Sequence, residues 1–460
     1  MMSWLRDHIG IVRLRQLVED ARHRLALVPF TLVVGAVVLS QVTLLIDRRI
    51  DDQDLPTILA TSVESARSIL AAIAGGLITA VTLLVSMMLV AVQLASGQLS
   101  PRTLRNWLGD RVLQRAVGVV LGTTVFCLLG LRSARQLGSD VSIVPSITVL
   151  VGVALGVVSL VYVVRAVDHV TNNLQIGTIA QRLTDDTIAT IRANGAAIDE
   201  RPGLAPVAHP HARSAPSHDG DARRVPPSAV AVETDHAGWV QQIDAEQLLS
   251  VIPEGATAWI AVVHGGYVFS HAPLAWVDLG DDGGATDDAD RDQALADVRS
   301  CFALGASRTM QQDVGFGIAQ LTDIAVRALS PGTNDPQTAC DIVMHLGEIL
   351  RELWSHEPAE VRLDDDGRRV YRAVPDPTQH LRAALDPIRR YGRHDPVVVR
   401  TLVEMLTTLR DEVERRSLPG PVAPIDRWID ELATDVDSDG WVARERIAVA
   451  HAAGRPAAIS

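Results

Sequence analysis

Four long runs without a charged side chain constrain this chain more than any other feature. Leu25–Ile46 is 22 residues of this kind, and Ile69–Ala95, Ala116–Leu131 and Val141–Val164 follow it. A bilayer core is crossed by about 20 apolar residues in a helix. In hydrocarbon, every backbone N–H and C=O must find its partner inside the segment, so helix is the local solution. The first, second and fourth runs meet that length directly. The third meets it as Val112–Leu131, where only Gln114 and Arg115 interrupt and can snorkel to the interface. The first run exceeds the apolar part of a signal peptide, about 7–15 residues, and no A-x-A site follows it. The expectation is four transmembrane helices within residues 25–164, behind an amphipathic cytoplasmic N-terminus of residues 1–24.

All 42 basic residues are arginine, because the sequence has no lysine. That removes Schiff-base chemistry, a P-loop lysine and a lipoyl or biotin attachment site together. The three cysteines, Cys127, Cys301 and Cys340, form no CxxC, which argues against a disulfide framework or a cysteine-rich zinc module. Five arginines precede the first run and four lie between the second and third (Arg102, Arg105, Arg111, Arg115). The positive-inside rule then puts both termini in the cytoplasm of a multi-pass inner (plasma) membrane protein. Residues 165–460 carry 28 arginines against 45 acids, whereas residues 1–164 carry 14 against 10. An acidic cytoplasmic body repels phosphate backbones, so nucleic acid is not an expected partner. Between spans two and three, Ser100 can cap and Pro101 can open a short helix on the membrane surface, with Arg102 and Arg105 toward headgroups. His169 stands at the exit from span four as a further interfacial group.

The spans hold no Asp, Glu, Arg or His beyond the edge position Arg115, which disfavours a proton- or ion-coupled pump. Gly118-x-x-x-Gly122 and Gly152-x-x-x-Gly156 allow close helix approach, and the expected partners are the lipid bilayer and further copies of the chain. Beyond span four, helical spacing of Val167, Val170, Leu174, Ile179, Leu183 and Ile191 predicts one continuous extension over residues 165–194. Residues 195–228 are rich in Pro, Ala, His and Gly and read as a disordered insertion. Short β-type runs at 229–280 predict a small β-barrel-like domain, a pattern similar to barrel-sandwich modules but without their lysine. An acidic loop at 281–296 and a helical domain at 297–460 complete an α+β body.

The helical domain carries the candidate site. Val314, Ile318, Leu321, Ile324, Ala325, Ala328 and Leu329 make an apolar face at about 100° per residue. Thr309, Gln312, Asp313, Gln320, Asp323 and Arg327 form the adjoining polar stripe, and Asp323 and Arg327 are placed to pair at i, i+4. Pro331-Gly332 ends the helix; Asp335 can cap the next one, with Pro336 at its first position. Capping alone accounts for this loop. A site for a small, unidentified anionic ligand is the functional reading, from Asp313, Gln320, Asp323, Arg327, Ser330, Asn334 and Asp335. Asp435, Asp437 and Asp439 have calcium-loop spacing, but Arg446 stands where a bidentate Glu is needed. No cofactor is expected.

RALSPGTNDPQTA (Arg327–Ala339), QLASGQLSPRTLRNWLGDR (Gln93–Arg111), GWVQQID (Gly238–Asp244) and FALGASRTMQQDVGFGIAQLTDIA (Phe302–Ala325) resemble the signatures of a bacterial family of predicted integral membrane proteins of unknown function. Thr333 and Gln337 depart from the apolar residues usual there. The resemblance implies a membrane protein and no particular reaction. Two functions stay open: an oligomeric passive channel or membrane sensor with a cytoplasmic ligand-binding body, and a membrane-tethered enzyme acting on an anionic substrate through Asp, Arg and Asn. A scaffold is a third. The chain has no G-x-S-x-G, H-E-x-x-H or Walker pattern, which weighs against the enzyme.

Overall fold

The computed structural model describes residues 27–47, 63–98, 111–133, 136–137, 141–142, 146–173, 175–197, 225–279, 288–358, 361–363, 367–372, 376–418, 420–438 and 441–454. Residues 1–24, the surface helix expected at Ser100–Arg105, most of the 195–228 insertion, and Asp439 lie outside them. The described residues fall into two compact units, within residues 17–178 and within residues 179–460.

The first unit is four helices: α1 (Leu27–Asp47), α2 (Val63–Gln98), α3 (Arg111–Ser133) and α4 (Ser146–Asn173). Each is long and apolar enough to cross a membrane. Helix α3 packs against the other three, and half of its apolar stretch is buried, against about a fifth for the rest. Both glycine motifs serve this packing. A Cβ on Gly118 would lie 2.6 Å from Leu32 Cδ1 and 2.9 Å from Pro29 Cα, and one on Gly122 would lie 3.2 Å from the Leu32 carbonyl. Gly152 meets Leu70 and Gly156 meets Ile73 in the same way on α2. The close approach that these motifs permit is therefore spent within one chain. Outward-facing Leu83, Leu89, Leu160 and Val164 suit hydrocarbon and not water.

A carboxylate closes the bundle at one end. Asp47 Oδ1 accepts from the Ile147 amide at 2.9 Å, and its Oδ2 accepts from the Thr148 amide at 3.1 Å and the Thr148 hydroxyl at 2.5 Å. The last residue of α1 thus caps α4, 100 residues away in sequence. Strands β1 (Gln136–Leu137) and β2 (Val141–Ser142) pair between α3 and α4. Span four consequently starts at Ser146, not at Val141 as expected.

The continuous extension of span four is not found. Helix α4 ends at Asn173 and α5 (Ile176–Asn194) starts anew. Asparagine is a poor helix interior residue, so Asn172-Asn173 is a sequence at which a helix readily ends, and Gly177 weakens the first turn of α5.

In the second unit, β3 (Gly195–Ala197), β4 (Val230–Glu233), β5 (Gly238–Ile243), α6 (Ala245–Val251), β6 (Thr257–Ile260), β7 (Tyr267–Val268), β8 (Pro273–Asp278), α7 (Asp288–Ser300) and β9 (Phe302–Gly305) precede the helical part. That part is α8 (Val314–Ala328), α9 (Pro336–Trp354), strands β10 (His356–Pro358), β11 (Val361–Leu363) and β12 (Arg369–Arg372), then α10 (Pro377–Gly392), α11 (Pro396–Arg416), α12 (Val422–Ser438) and α13 (Ala443–Ala452). One sheet has the order β11-β12-β6-β8-β4, with β12 parallel to β6; the second is β7-β5-β9, antiparallel. The region 229–280 does not close on itself among the described residues: it splits between two sheets and borrows β9, β11 and β12 from the segment expected to be helical. Val232, Val240, Leu248, Ile260, Leu274, Val277, Phe302 and Val370 form their shared core. Helix α7 occupies part of the expected acidic loop.

Gly118→Leu should destabilise the membrane unit by roughly 1–3 kcal/mol through overpacking, whereas Gly75→Ala, whose Cβ meets nothing within 4 Å, should be tolerated. Thermal unfolding of the detergent-solubilised protein checks this; equal melting of the two variants would contradict the packing.

Candidate functional site

Residues 306–313 join β9 to α8, and the sequence dictates how they close. Asp313 is the N-cap of α8, accepting from the Phe316 amide at 3.0 Å. Its carboxylate also takes both arms of Arg308, Nε to Oδ2 at 2.7 Å and Nη2 to Oδ1 at 2.9 Å. Arg308 lies over the Phe316 ring, 5.2 Å from its centroid. The Asp313 side chain is 4% exposed and that of Arg308 23%, so this is a desolvated bidentate pair. Gly265, at φ +71°, covers it: a Cβ there would lie 1.9 Å from Asp313 Oδ2. Only glycine fits both that conformation and that approach.

The rest of the loop is held by other segments. Gln312 Oε1 accepts from the Ile243 amide at 2.8 Å and its Nε2 donates to the Ile243 carbonyl at 3.2 Å, a side chain standing in for a strand. Gln241 Nε2 donates to the Ser307 carbonyl at 2.7 Å. Helix α5 contributes a buried face of threonines at three-residue spacing. The single proton of the Thr190 hydroxyl is shared between the Met310 carbonyl at 2.8 Å and the Asp186 carbonyl of its own helix at 2.9 Å, Thr187 packs on Gly317, and Thr184 Oγ1 lies 3.0 Å from His345 Nδ1. Arg192 adds an ion pair at 2.7 Å to the buried Glu352 on α9.

Two half-buried histidines are shifted by groups of this region. His264 precedes Gly265; burial, and then Arg372, push its pKa down to about 4, against a pull upward from Gln312. His380, in the first turn of α10, is lowered by burial, with Asp313 and Asp376 acting the other way. His264 Nε2 and His380 Nδ1 are buried without a hydrogen-bond partner. Both imidazoles are therefore neutral at neutral pH. Among the described residues, no three His, Cys, Asp or Glu side chains gather to hold a metal ion.

The residues expected to form one site are spread from the start of α8 to the cap of α9. Asp313 caps its start, and Arg327 is 14 residues on, about 21 Å at 1.5 Å per residue. Thr309, Gln312 and Asp313 precede the helix and are not part of a helical stripe. Gln320 is fully buried and Asp323 half-buried. Arg327, placed to pair with Asp323 at i, i+4, is exposed. Around it the signature loop is a turn. Ser330 Oγ donates to the Arg327 carbonyl at 2.6 Å, and the Thr333 and Asn334 amides donate to the Ser330 carbonyl. Asn334 is exposed with φ +48°, a conformation asparagine tolerates. Asp335 caps α9, accepting from the Thr338 amide at 3.2 Å and hydroxyl at 2.6 Å, bonds that hold its carboxyl below the usual range. His169 is half-buried near the end of α4. Asp435 and Asp437 stand on helical backbone, since α12 runs to Ser438, and not on a calcium-type loop.

Sequence reasoning passed over Arg308, His264, His380 and the threonines of α5. The local signal was there for the last alone: Thr184, Thr187 and Thr190 repeat at helical spacing beside apolar Leu183 and Ile191.

A family model described as "Predicted membrane protein (DUF2254)" matches residues 22–408. The chain belongs to this family. It is 28% identical over 348 residues to the uncharacterized proteins Rv1290c of Mycobacterium tuberculosis (strain ATCC 25618 / H37Rv) and Mb1321c of Mycobacterium bovis (strain ATCC BAA-935 / AF2122/97). The aligned part is 75% of this chain and 63% of each relative. No solved structure matches the chain.

Arg308→Ala should cost roughly 3–5 kcal/mol, the penalty for stranding a buried carboxylate. Arg327→Ala should fall within about 0.5 kcal/mol, as for an exposed residue. Denaturant unfolding of the full chain checks both, and equal losses would contradict the assignment of the buried pair. The second unit should also lose stability in acid. His264 has a folded pKa of about 4 against 6.5 unfolded, so the unfolded state binds more protons between them. Its contribution is complete above pH 6.5 and is lost as pH falls toward 4. His264→Gln should flatten that slope in melting curves taken across the window.

Proposed function

We propose that this family member is a membrane sensor, or a passive channel under the control of one, in which the second unit reads a chemical signal and α5 relays it toward span four. The hydrogen bond from Thr190 to the Met310 carbonyl carries the reading, because it ties the helix that follows span four to the loop holding Arg308 and Asp313. Thr187 against Gly317, at the start of α8, reinforces the tie, so a rearrangement of that loop changes the seating of α5, which Arg192 also pairs to Glu352 of α9.

The membrane unit suits passive conduction or signalling better than coupled transport. The polar groups buried in its helices are hydroxyls and amides, such as Ser159 donating to Thr123 at 2.9 Å, and Asp47 is committed to capping α4. We place both termini in the cytoplasm of the plasma (inner) membrane on the arginine asymmetry of the loops. We assign a homo-oligomer: Gly35, Gly75 and Gly76 face open space, while the glycine pairs of α3 and α4 are used internally. The enzyme reading gains no support from the site, where Asp313 is fully engaged by Arg308 and the Phe316 amide.

Vesicles loaded with potassium chloride test this. Those carrying the full chain should lose potassium faster than empty ones, and Arg308→Ala should change the rate by about fivefold or more, the low end of allosteric coupling. Leakage equal to that of empty vesicles in both forms contradicts the channel, and leakage indifferent to Arg308→Ala contradicts control by this loop.

A further inference from the structure

Gly265 leads into a strand whose outward face is built of aromatic rings. Strand β7 alternates: Val268 belongs to the core, while Tyr267 and Phe269 on either side of it are 49% and 72% exposed. On β5, Trp239 stands opposite Tyr267 in the register and next to Val240, which again belongs to the core. The three rings meet edge to face, with centroids 5.3 Å apart for Trp239 and Tyr267 and 5.5 Å for Tyr267 and Phe269. Phe269 is at the tip, where the Ala272 amide donates to its carbonyl and His271 takes φ +64°. Large rings left in water forgo the gain of burial, so three of them ordered on one outward face mark a contact surface.

We propose that this aromatic face docks on the bilayer that anchors the chain, with its rings seated among the lipid headgroups. The ring types fit that partner. Trp and Tyr join an apolar body to a polar N–H or O–H, which suits the boundary between headgroup and hydrocarbon, and Phe269 leads with a wholly apolar ring. The charges fit it too. Gly255–Val277 is 23 residues without Asp, Glu or Arg, within a body of 45 acids and 28 arginines. Thr234 bonds to His271 and Ala272, and its neighbour Asp235 is neutralised by Arg299, which donates to it at 2.8 and 3.1 Å. This face therefore approaches lipid phosphates without the repulsion that an acidic surface meets. Connectivity supplies the encounter, because two residues separate α4 from α5 and so short a tether keeps the bilayer at high effective concentration. Trp239 also shares β5 with Gln241 and Ile243, which bond to the 306–313 loop, so docking restrains the strand that holds that loop. The inference goes beyond the sensor reading and does not rest on it.

The full chain in phosphatidylcholine vesicles, with a nitroxide on Ser270→Cys beside the rings, tests this. Cys127, Cys301 and Cys340 are buried, and the chain without the new thiol gives the labelling background. Collision rates with oxygen and with a water-soluble nickel chelate give the depth of the label. It should lie about 5–10 Å inside the headgroup boundary, the depth of interfacial apolar groups. Phe269→Asp should return the label to water, a loss of that whole depth. Position 269 is 72% exposed, so the core has no stake in it, and the depth with Phe269 in place is read independently of the variant. A label in water with Phe269 in place, or the same depth in both chains, would overturn the proposal. So would depth that appears only with added phosphatidylglycerol and vanishes at high salt, because charge and not the rings would then be the cause. Dipolar broadening between labels that stay in water would overturn it as well, and would assign the face to a second copy of the chain.

Discussion

A carboxylate buried at the start of α8 organises the second unit. Asp313 is out of water, and desolvation makes it costly unless its charge is paired and both oxygens are hydrogen-bonded. Arg308 answers with two hydrogen bonds and the Phe316 amide with a third. That demand fixes more than one side chain. It requires glycine at 265, stacks Arg308 on Phe316, and holds residues 306–313 in a shape whose carbonyls at Ser307 and Met310 are taken by Gln241 and Thr190. Segments more than 100 residues apart meet because one charge has to be satisfied.

The membrane unit meets its constraint differently. Lipid offers no hydrophobic drive between helices, so contact comes from shape, and glycine supplies the close approach of α3 to α1 and of α4 to α2. Its one buried carboxylate among the described residues, Asp47, is at the helix ends, where the amides of Ile147 and Thr148 donate to it. Packing thus consumes the glycines that a reader of sequence assigns as readily to oligomer contacts.

What was legible in the sequence was what is local. The spans were legible because a bilayer imposes a length and removes charge over it. The Asp335–Pro336 cap was legible because its partner, Thr338, is three residues away. Asp313 was visible as a polar position but was read as part of a helical stripe, although its cap partner, the Phe316 amide, is also three residues away. The parallel pairing of β12 with β6 joins Val370 to Ala258 and has no local signature, so the β region read as closed. The break between α4 and α5 was masked by apolar spacing that continues across it, although Asn172, Asn173 and Gly177 mark the place. Histidines 264 and 380 gain their character only from burial and from Arg372 and Asp313, which the fold brings to them.

A double-mutant cycle between Arg308 and Thr190 tests the central claim most directly, because the two side chains share no bond and communicate only through the loop between them. Opening free energies of α5, read by hydrogen exchange on full chains bearing Arg308→Ala, Thr190→Val and both, give the coupling. The account predicts an interaction of about 0.5–3 kcal/mol, as for residues in one network. Additivity within about 0.3 kcal/mol would mean that the buried pair and helix α5 are independent, and would contradict it.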